Sequence, residues 1–181
     1  MAWKLDPAHS QITFTVRHMM ISNVHGRFEN FDATVAFDEQ HPENSSVEVK
    51  IDAASINTRE PVRDNHLRSP DFLDAANYPT LTFTSKRVER VDDFSGRIVG
   101  DLTIRGLSRE VALDVEYAGK AISPWGKVSA GFTARTRINR KDWGLNWNHA
   151  LETGGFLVGD NININIELEL VQEPEAEAVA A

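Results

Sequence analysis

The chain is dominated by alternation of apolar and polar residues, the period of a half-buried β-strand. The cleanest example runs from Ile162 to Leu170, where isoleucine and leucine alternate with asparagine and glutamate. Similar alternation, with local shifts of parity, predicts seven further strands within residues 11–18, 28–37, 47–51, 81–88, 98–104, 111–117 and 128–138. Strands of this kind, separated by turn signals, favour an all-β fold with an eight-stranded antiparallel sheet closed into a barrel. An eight-stranded barrel is either filled by side chains or holds one small ligand.

One stretch, residues 57–79, departs from this alternation and predicts a helical insert. Asn57 or Thr58 can cap a helix, and Pro61 suits the first turn because the amide hydrogen it lacks has no partner there. Ser69-Pro70 repeats the signal and predicts a second short turn. The insert is therefore either a plug that closes one end of the barrel or a lid over a ligand.

The two ends of the predicted barrel differ in character. If the strands run up and down in chain order, one end carries the connections 19–26, 53–79, 105–109 and 139–156. That end holds the helical insert, Trp143, Trp147 and four of the six histidines. The other end has polar turns and the N-terminal segment, where we expect Trp3. One elaborate mouth is what a ligand container needs.

Small residues on the inward faces suggest that the barrel is not full. Gly100, Ala130, Ala134 and Thr136 fall on the apolar sides of their strands. The alternative is that small and large residues alternate to fit the taper of a packed barrel.

Composition removes several classes of function. The net charge of −8 argues against nucleic-acid binding, which depends on neutralising phosphates. The absence of cysteine excludes disulfides and thiolate metal sites. No apolar run is long enough for a transmembrane segment, and no leader is evident, so we expect a cytoplasmic protein unless a leader was removed. Residues 172–181 have no pattern that could bury a face, which predicts a disordered acidic tail.

The spacing of the histidines gives little support for a metal site. His18, His25, His66 and His149 could meet at the mouth, but their spacing matches no metal motif, so we predict no metal site. His18 lies on an apolar strand face, either as a paired core histidine or as a hydrogen-bond donor to the polar head of a ligand. Arg63 and Asp64 form either an ion-pair anchor for the insert or, with His18, the reactive groups of an enzyme.

Several segments in a fixed order resemble the YceI-like polyisoprenoid-binding family. They are W-K-L-D-P-A-H-S at 3–10, F-T-V-R-H at 14–18, G-R-F at 26–28, S-I-N-T at 55–58, R-D-N-H-L-R-S-P-D-F-L at 63–73, Y-P-T-L-T-F-T-S at 78–85, G-D-L-T-I-R-G at 100–106 and R-K-D-W-G-L at 140–145. The resemblance implies a lipocalin-like barrel over residues 1–171 that holds an isoprenoid lipid, such as an isoprenoid quinone or a polyprenyl chain, in an apolar tunnel. It further implies a role in lipid transport or storage, and a possible homodimer.

The sequence thus predicts a non-enzymatic lipid-binding protein with no catalytic residue and no cofactor other than the bound isoprenoid lipid. Two alternatives stay open: an enzyme of the same fold that uses His18 with Arg63 and Asp64 on a lipid-like substrate, and a ligand-free stress or interaction protein with a filled barrel. The predicted ligand-binding residues are inward-facing strand positions, the apolar side of the insert and the aromatic loop that follows the seventh predicted strand: Phe14, Val16, His18, Phe37, Leu67, Phe72, Leu73, Phe83, Leu102, Ile104, Ala130, Phe132, Ala134, Trp143, Trp147 and Phe156.

Overall fold

A computed structural model describes residues 2–173, which form one long antiparallel sheet and a single α-helix. The strands are β1 (Trp3–Leu5), β2 (Gln11–His18), β3 (Ser22–Phe28), β4 (Phe31–Ala36), β5 (Ser46–Asp52), β6 (Ile56–Asn57), β7 (Thr80–Arg90), β8 (Ser95–Ile104), β9 (Leu107–Ile122), β10 (Val128–Asn139) and β11 (Val158–Gln172). The helix α1 spans Pro61–Arg68, and short 3₁₀ turns occur at Pro7–His9, Pro42–Asn44, Ala53–Ser55 and Arg140–Trp143.

The sheet curls into a half-barrel with the strand order β4-β5-β7-β8-β9-β10-β11-β2-β3-β6, and β1 pairs with the far end of β11. Every pairing is antiparallel, so neighbouring strands are joined mostly by hairpins. The hydrogen-bonded path begins at β4 and ends at β6. Two residues connect β3 to β4, and three connect β5 to β6, so short covalent links join the two ends of the path.

The predicted all-β class and the single helical insert are confirmed. The predicted count of eight strands is wrong, and the sheet is a curled half-barrel where a closed barrel was predicted. Two of the three additional strands lie in stretches that the alternation did not predict as strands. Strand β3 takes up most of the predicted connection 19–26 and ends at Phe28, and β6 lies within the predicted connection 53–79. The third additional strand is β1, which is too short to show an alternation.

Most of the buried core lies at the end of the sheet that carries the insert, and a smaller buried group that includes Ala130 and Leu170 lies at the opposite end. Ile51, Leu81, Phe83 and Ile104 belong to the main core, and Leu73 of the insert packs against them. Further along the strands, inward-facing residues such as Phe14, Val35, Val115 and Ile164 are only partly buried. Inward side chains that stay partly exposed face a space that the protein itself does not fill.

The helical insert forms as predicted, but a different residue caps it. Pro61 is the first helical residue, and the carboxylate of Glu60 accepts hydrogen bonds from the amides of Val62 and Arg63 at 3.4 and 2.6 Å. The predicted caps, Asn57 and Thr58, lie too far upstream. Glutamate is an uncommon capping residue, which is why the sequence pointed elsewhere.

Two further sequence-level expectations concern the chain ends and membrane crossing. Gln172 is the last residue of β11 and pairs with Trp3, while residues 174–181 of the predicted tail lie outside the described residues. Between residues 2 and 173, the structure contains no helix with the length and apolar character needed to cross a membrane.

Candidate functional site

The curled sheet encloses an apolar cavity of about 600 Å³. This volume lies within the range of about 300–1,000 Å³ that is typical of small-molecule sites. Strands from both halves of the sheet contribute to its wall, as does helix α1. The interior is therefore not filled by the chain's own side chains.

Most of the predicted ligand-binding residues lie on the wall of this cavity. Thirteen of the sixteen do so: Phe14, Val16, His18, Phe37, Leu67, Phe72, Leu73, Phe83, Leu102, Ile104, Phe132, Ala134 and Trp147. Strand period alone places the inward residues correctly, because alternate side chains point to the same face. Their role in binding a ligand stays a prediction.

The other three predicted residues lie elsewhere. Ala130 is 0% exposed and packs inside the sheet, where it pairs with Leu170. Trp143 is 2% exposed in the core, and its Nε1 donates a hydrogen bond to the carbonyl of Leu102 at 2.9 Å. Phe156 is 56% exposed on the loop 139–157, which is the aromatic loop. The directions of Trp143 and Phe156 could not be read from the sequence, because the loop 139–157 has no period, whereas Ala130 belongs to a strand and is fully covered by its neighbours.

At the helical end, three aromatic rings from two segments form the rim of the cavity. The ring of His66 meets Trp147 edge-on at 4.5 Å and Phe72 at 5.1 Å between centroids, and Phe72 lies 5.5 Å from Trp147. The Nε2 atom of His66 lies 2.9 Å from the carboxylate of Asp71. The insert and the aromatic loop therefore do meet at one end, as the up-and-down order predicts.

The adjacent pair Arg63 and Asp64 has a structural role in this mouth. Oδ1 of buried Asp64 accepts hydrogen bonds from the amide and hydroxyl of Thr58 at 2.9 and 2.5 Å. Arg63 donates to the hydroxyl and carbonyl of the same threonine at 2.7 and 2.8 Å. The two side chains thus fix the entry into α1, and the cavity wall includes Arg63 without Asp64.

Arg140 holds the aromatic loop in place. Its guanidinium is 2% exposed and donates to the carbonyls of Leu145 at 2.6 Å, Trp147 at 2.8 Å and Gly159 at 2.9 Å. Burial lowers the pKa of Arg140, and the carboxylate of Asp160, 3.9 Å away, opposes this shift. A buried cation surrounded by backbone carbonyls orders the loop that carries Trp147.

Replacing Arg140 by methionine is expected to lower the free energy of unfolding by about 2–4 kcal/mol. The buried carbonyl of Leu145 loses its donor at a cost of about 1–3 kcal/mol, and the partly buried carbonyls of Trp147 and Gly159 lose theirs at a smaller cost. Denaturant titration measures the change. Lys141→Met is the matched control, since Lys141 is exposed and only approaches Asp160 at 3.4 Å; its cost should stay within about 0.5 kcal/mol. Equal losses in the two variants would contradict the role given to Arg140.

The cavity also reaches the opposite end, which the sequence predicted to be plain. Pairing between β5 and β7 stops at Thr84, while β7 continues to Arg90, so the β7–β8 hairpin extends beyond its neighbour. Exposed residues of its turn, among them Phe94, therefore contribute to the wall. Turn residues carry no pattern that could have predicted this.

Four aromatic rings cluster near that end, and those of Phe37, Tyr117 and Phe132 line the cavity. Phe37 contacts Tyr117 at 5.5 Å, Phe132 at 5.0 Å and Trp3 at 5.8 Å between ring centroids. Burial raises the pKa of Tyr117, and the nearby carboxylate of Glu39 adds to this shift. The expected position of Trp3 at this end is confirmed.

Sequence reasoning missed several wall residues that the same rules could have found. Ile162, Ile164 and Ile166 line the cavity, although they belong to the strand with the clearest alternation. His66 lines it together with Val62, four residues earlier on the same side of α1. Of the four histidines expected at the mouth, His18 and His66 belong to the wall.

Comparisons with known proteins agree with this architecture. The family model described as the YceI-like domain matches residues 3–170. A UPF0312 protein of Staphylococcus aureus is 38% identical over 158 residues, which cover 87% of this chain and 90% of the relative. The crystal structure of a YceI protein from Campylobacter jejuni superposes with a TM-score of 0.76 at 38% identity, covering 87% of this chain and 90% of that one.

A more distant structure shares the fold alone. It is described as a polyisoprenoid binding domain from Saccharophagus degradans, with a TM-score of 0.65, 17% identity, and coverage of 96% of this chain and 99% of that one. The match to the family model and the identity to the S. aureus and C. jejuni proteins extend over nearly all of the described sheet. This chain therefore belongs to the YceI-like domain family.

Proposed function

We propose that the protein binds an isoprenoid lipid in its cavity and sequesters or carries it without chemical conversion. The ligand is the tail of an isoprenoid quinone or another polyprenyl chain. The observation that carries the proposal is the apolar cavity of about 600 Å³, which extends from the helical mouth to the aromatic cluster at the other end. The name of the S. degradans domain, which describes polyisoprenoid binding, supports the same ligand class.

The physical driving force is the removal of the lipid chain from water. Burying about twenty chain carbons contributes about 16 kcal/mol at about 0.8 kcal/mol per CH₂. Loss of translational, rotational and chain freedom offsets about 4–15 kcal/mol of this gain. The balance is favourable even though the wall offers few polar contacts, so specificity depends on shape.

The polar head of the lipid belongs at the helical mouth in this proposal. His18 and His66 are wall residues there, and each imidazole can donate a hydrogen bond to a carbonyl or hydroxyl oxygen. The isoprenoid tail then follows the apolar wall toward Phe132 and Tyr117. Because Arg63 and Asp64 are already bonded to Thr58, the mouth favours binding over catalysis.

Native mass spectrometry combined with solvent extraction tests the proposed function. The purified protein is expected to release a lipid whose fragments are spaced by one isoprene unit, and an unrelated protein purified from the same cells serves as the control for carry-over. The lipid should be recovered unchanged after prolonged incubation with the protein. Repeated recovery of empty protein, or of a converted lipid, would contradict the proposal.

A further inference from the structure

The tip of the β2–β3 hairpin carries three apolar residues that the fold does not require. Met19, Met20 and Ile21 are all exposed, Ile21 to 77%. Met19 and Met20 also have positive φ angles, 50° and 66°. Asparagine and glycine adopt this left-handed backbone more readily than methionine does. The side chains at the tip are therefore explained neither by burial nor by turn geometry.

This tip lies directly beside the helical mouth. The amide of Met19 donates to the carbonyl of Leu157 at 2.9 Å, and both Leu157 and His18 belong to the cavity wall. Met20 packs on the loop 139–157 at Gly155. A Cβ atom placed on this glycine would lie 2.9 Å from the sulfur atom of Met20. The next residue of that loop, Phe156, is also exposed, so the tip and the loop together form one apolar patch.

The guanidinium of Arg17 lies beside this patch. Nε of Arg17 donates to the carbonyl of Met20 at 3.2 Å, and Nη1 donates to Oδ1 of Asn23 at 3.4 Å. No carboxylate between residues 2 and 173 forms an ion pair with Arg17. A guanidinium beside exposed apolar side chains matches the boundary of a bilayer, where phosphates lie just above the acyl chains.

We propose that this patch, formed by Met19, Met20, Ile21 and Phe156, docks the cavity mouth onto a phospholipid bilayer. The inference rests on the proposed function, because an isoprenoid chain that passes directly between membrane and cavity avoids exposure to water. The methionines suit a fluid surface, since their unbranched side chains adapt to irregular contacts. Arg17 binds a lipid phosphate at the edge of the patch.

Flotation of the purified protein with phosphatidylcholine vesicles that contain no isoprenoid tests the docking surface. The wild-type protein is expected to float with the vesicles, and Ile21→Glu should reduce the floated fraction about tenfold. Ile122→Glu is the matched control: Ile122 is 74% exposed and lies in the β9–β10 hairpin at the opposite end of the sheet. This control should float like the wild type. Absence of wild-type flotation, or equal loss in the two variants, would overturn the proposal.

A second variant separates docking from folding. Met19→Asn combined with Met20→Gly gives the hairpin residues that suit positive φ angles, so the chain should unfold at an unchanged or higher temperature while losing vesicle binding. Undiminished flotation of this double variant would refute the docking role. If sedimentation showed that the substitutions convert a dimer to a monomer, and the wild type did not float, the patch would instead be a contact with a second copy.

The docking surface and the proposed function can fail separately. A protein that releases an isoprenoid lipid on extraction but does not float would refute the docking surface alone. A protein that floats but never contains an isoprenoid lipid would refute the carrier function.

Discussion

Replacing Ala134 by tryptophan is expected to abolish isoprenoid binding while the sheet stays folded. Ala134 lies on the cavity wall in the middle of β10, paired with Val115 on one side and Ile166 on the other. An indole at this position enters the space that the lipid chain would occupy. If it displaces about five chain carbons, the loss is about 4 kcal/mol, or about a thousandfold in affinity.

Arg135→Trp provides the control on the same strand. Arg135 is exposed on the outer face, where it donates to Asn165 at 3.2 Å. Tryptophan is therefore introduced one position away, with its side chain pointing away from the cavity. Lipid retention by native mass spectrometry and the β signal in circular dichroism are measured for both variants. Unaltered binding in a folded Ala134→Trp protein would show that the lipid does not pass this part of the cavity.

Trp143→Ala and Trp147→Ala are expected to change different properties, although the two residues are four positions apart. The first should lower stability, and the second should speed lipid release. Trp143 is a core residue with a buried hydrogen bond, so its loss should cost about 3–5 kcal/mol of unfolding free energy and lower the melting temperature by about 10 °C or more. Trp147 lines the mouth beside His66 and Phe72. Its loss should leave the core intact and speed lipid release about tenfold, which corresponds to about 1.4 kcal/mol.

Thermal unfolding and the rate of lipid transfer to acceptor vesicles, measured side by side, distinguish the two tryptophans. The expected pattern is a melting change confined mainly to Trp143→Ala and a release change confined mainly to Trp147→Ala in the temperature range where both variants are folded. If both variants melt early with the wild-type release rate, the aromatic rim is part of the fold and does not retain the ligand.

The longer strands could be predicted from the sequence because burial of one face imposes a period of two on them, whereas β1 and β6 are too short to show it. The same period assigned Phe14, Phe83 and Ala134 to the interior. Connectivity then brought the insert and the aromatic loop to one end without any knowledge of side-chain contacts.

The aromatic loop shows where this reasoning ends. Trp143 points into the core and Trp147 into the cavity because Arg140 binds the carbonyls of Leu145 and Trp147. That bonding pattern depends on three-dimensional proximity and leaves no trace in the spacing of residues. The cap of α1 was missed for a related reason: Asp64 already engages Thr58, which leaves Glu60 to bind the first amides of the helix.

The joint between the two ends of the sheet has a mechanical consequence. Where β3 continues into β4 and β5 into β6, only a few bonds cross between the strands, among them the amide of Asp52 to the carbonyl of Asn30 at 3.0 Å and the amide of Glu29 to the carbonyl of Ser55 at 3.0 Å. Widening a cylinder that is hydrogen-bonded all the way around means separating strands along their length. Here we expect that widening the cavity breaks the few hydrogen bonds at these two short links first, while the ladders from β7 to β2 keep theirs.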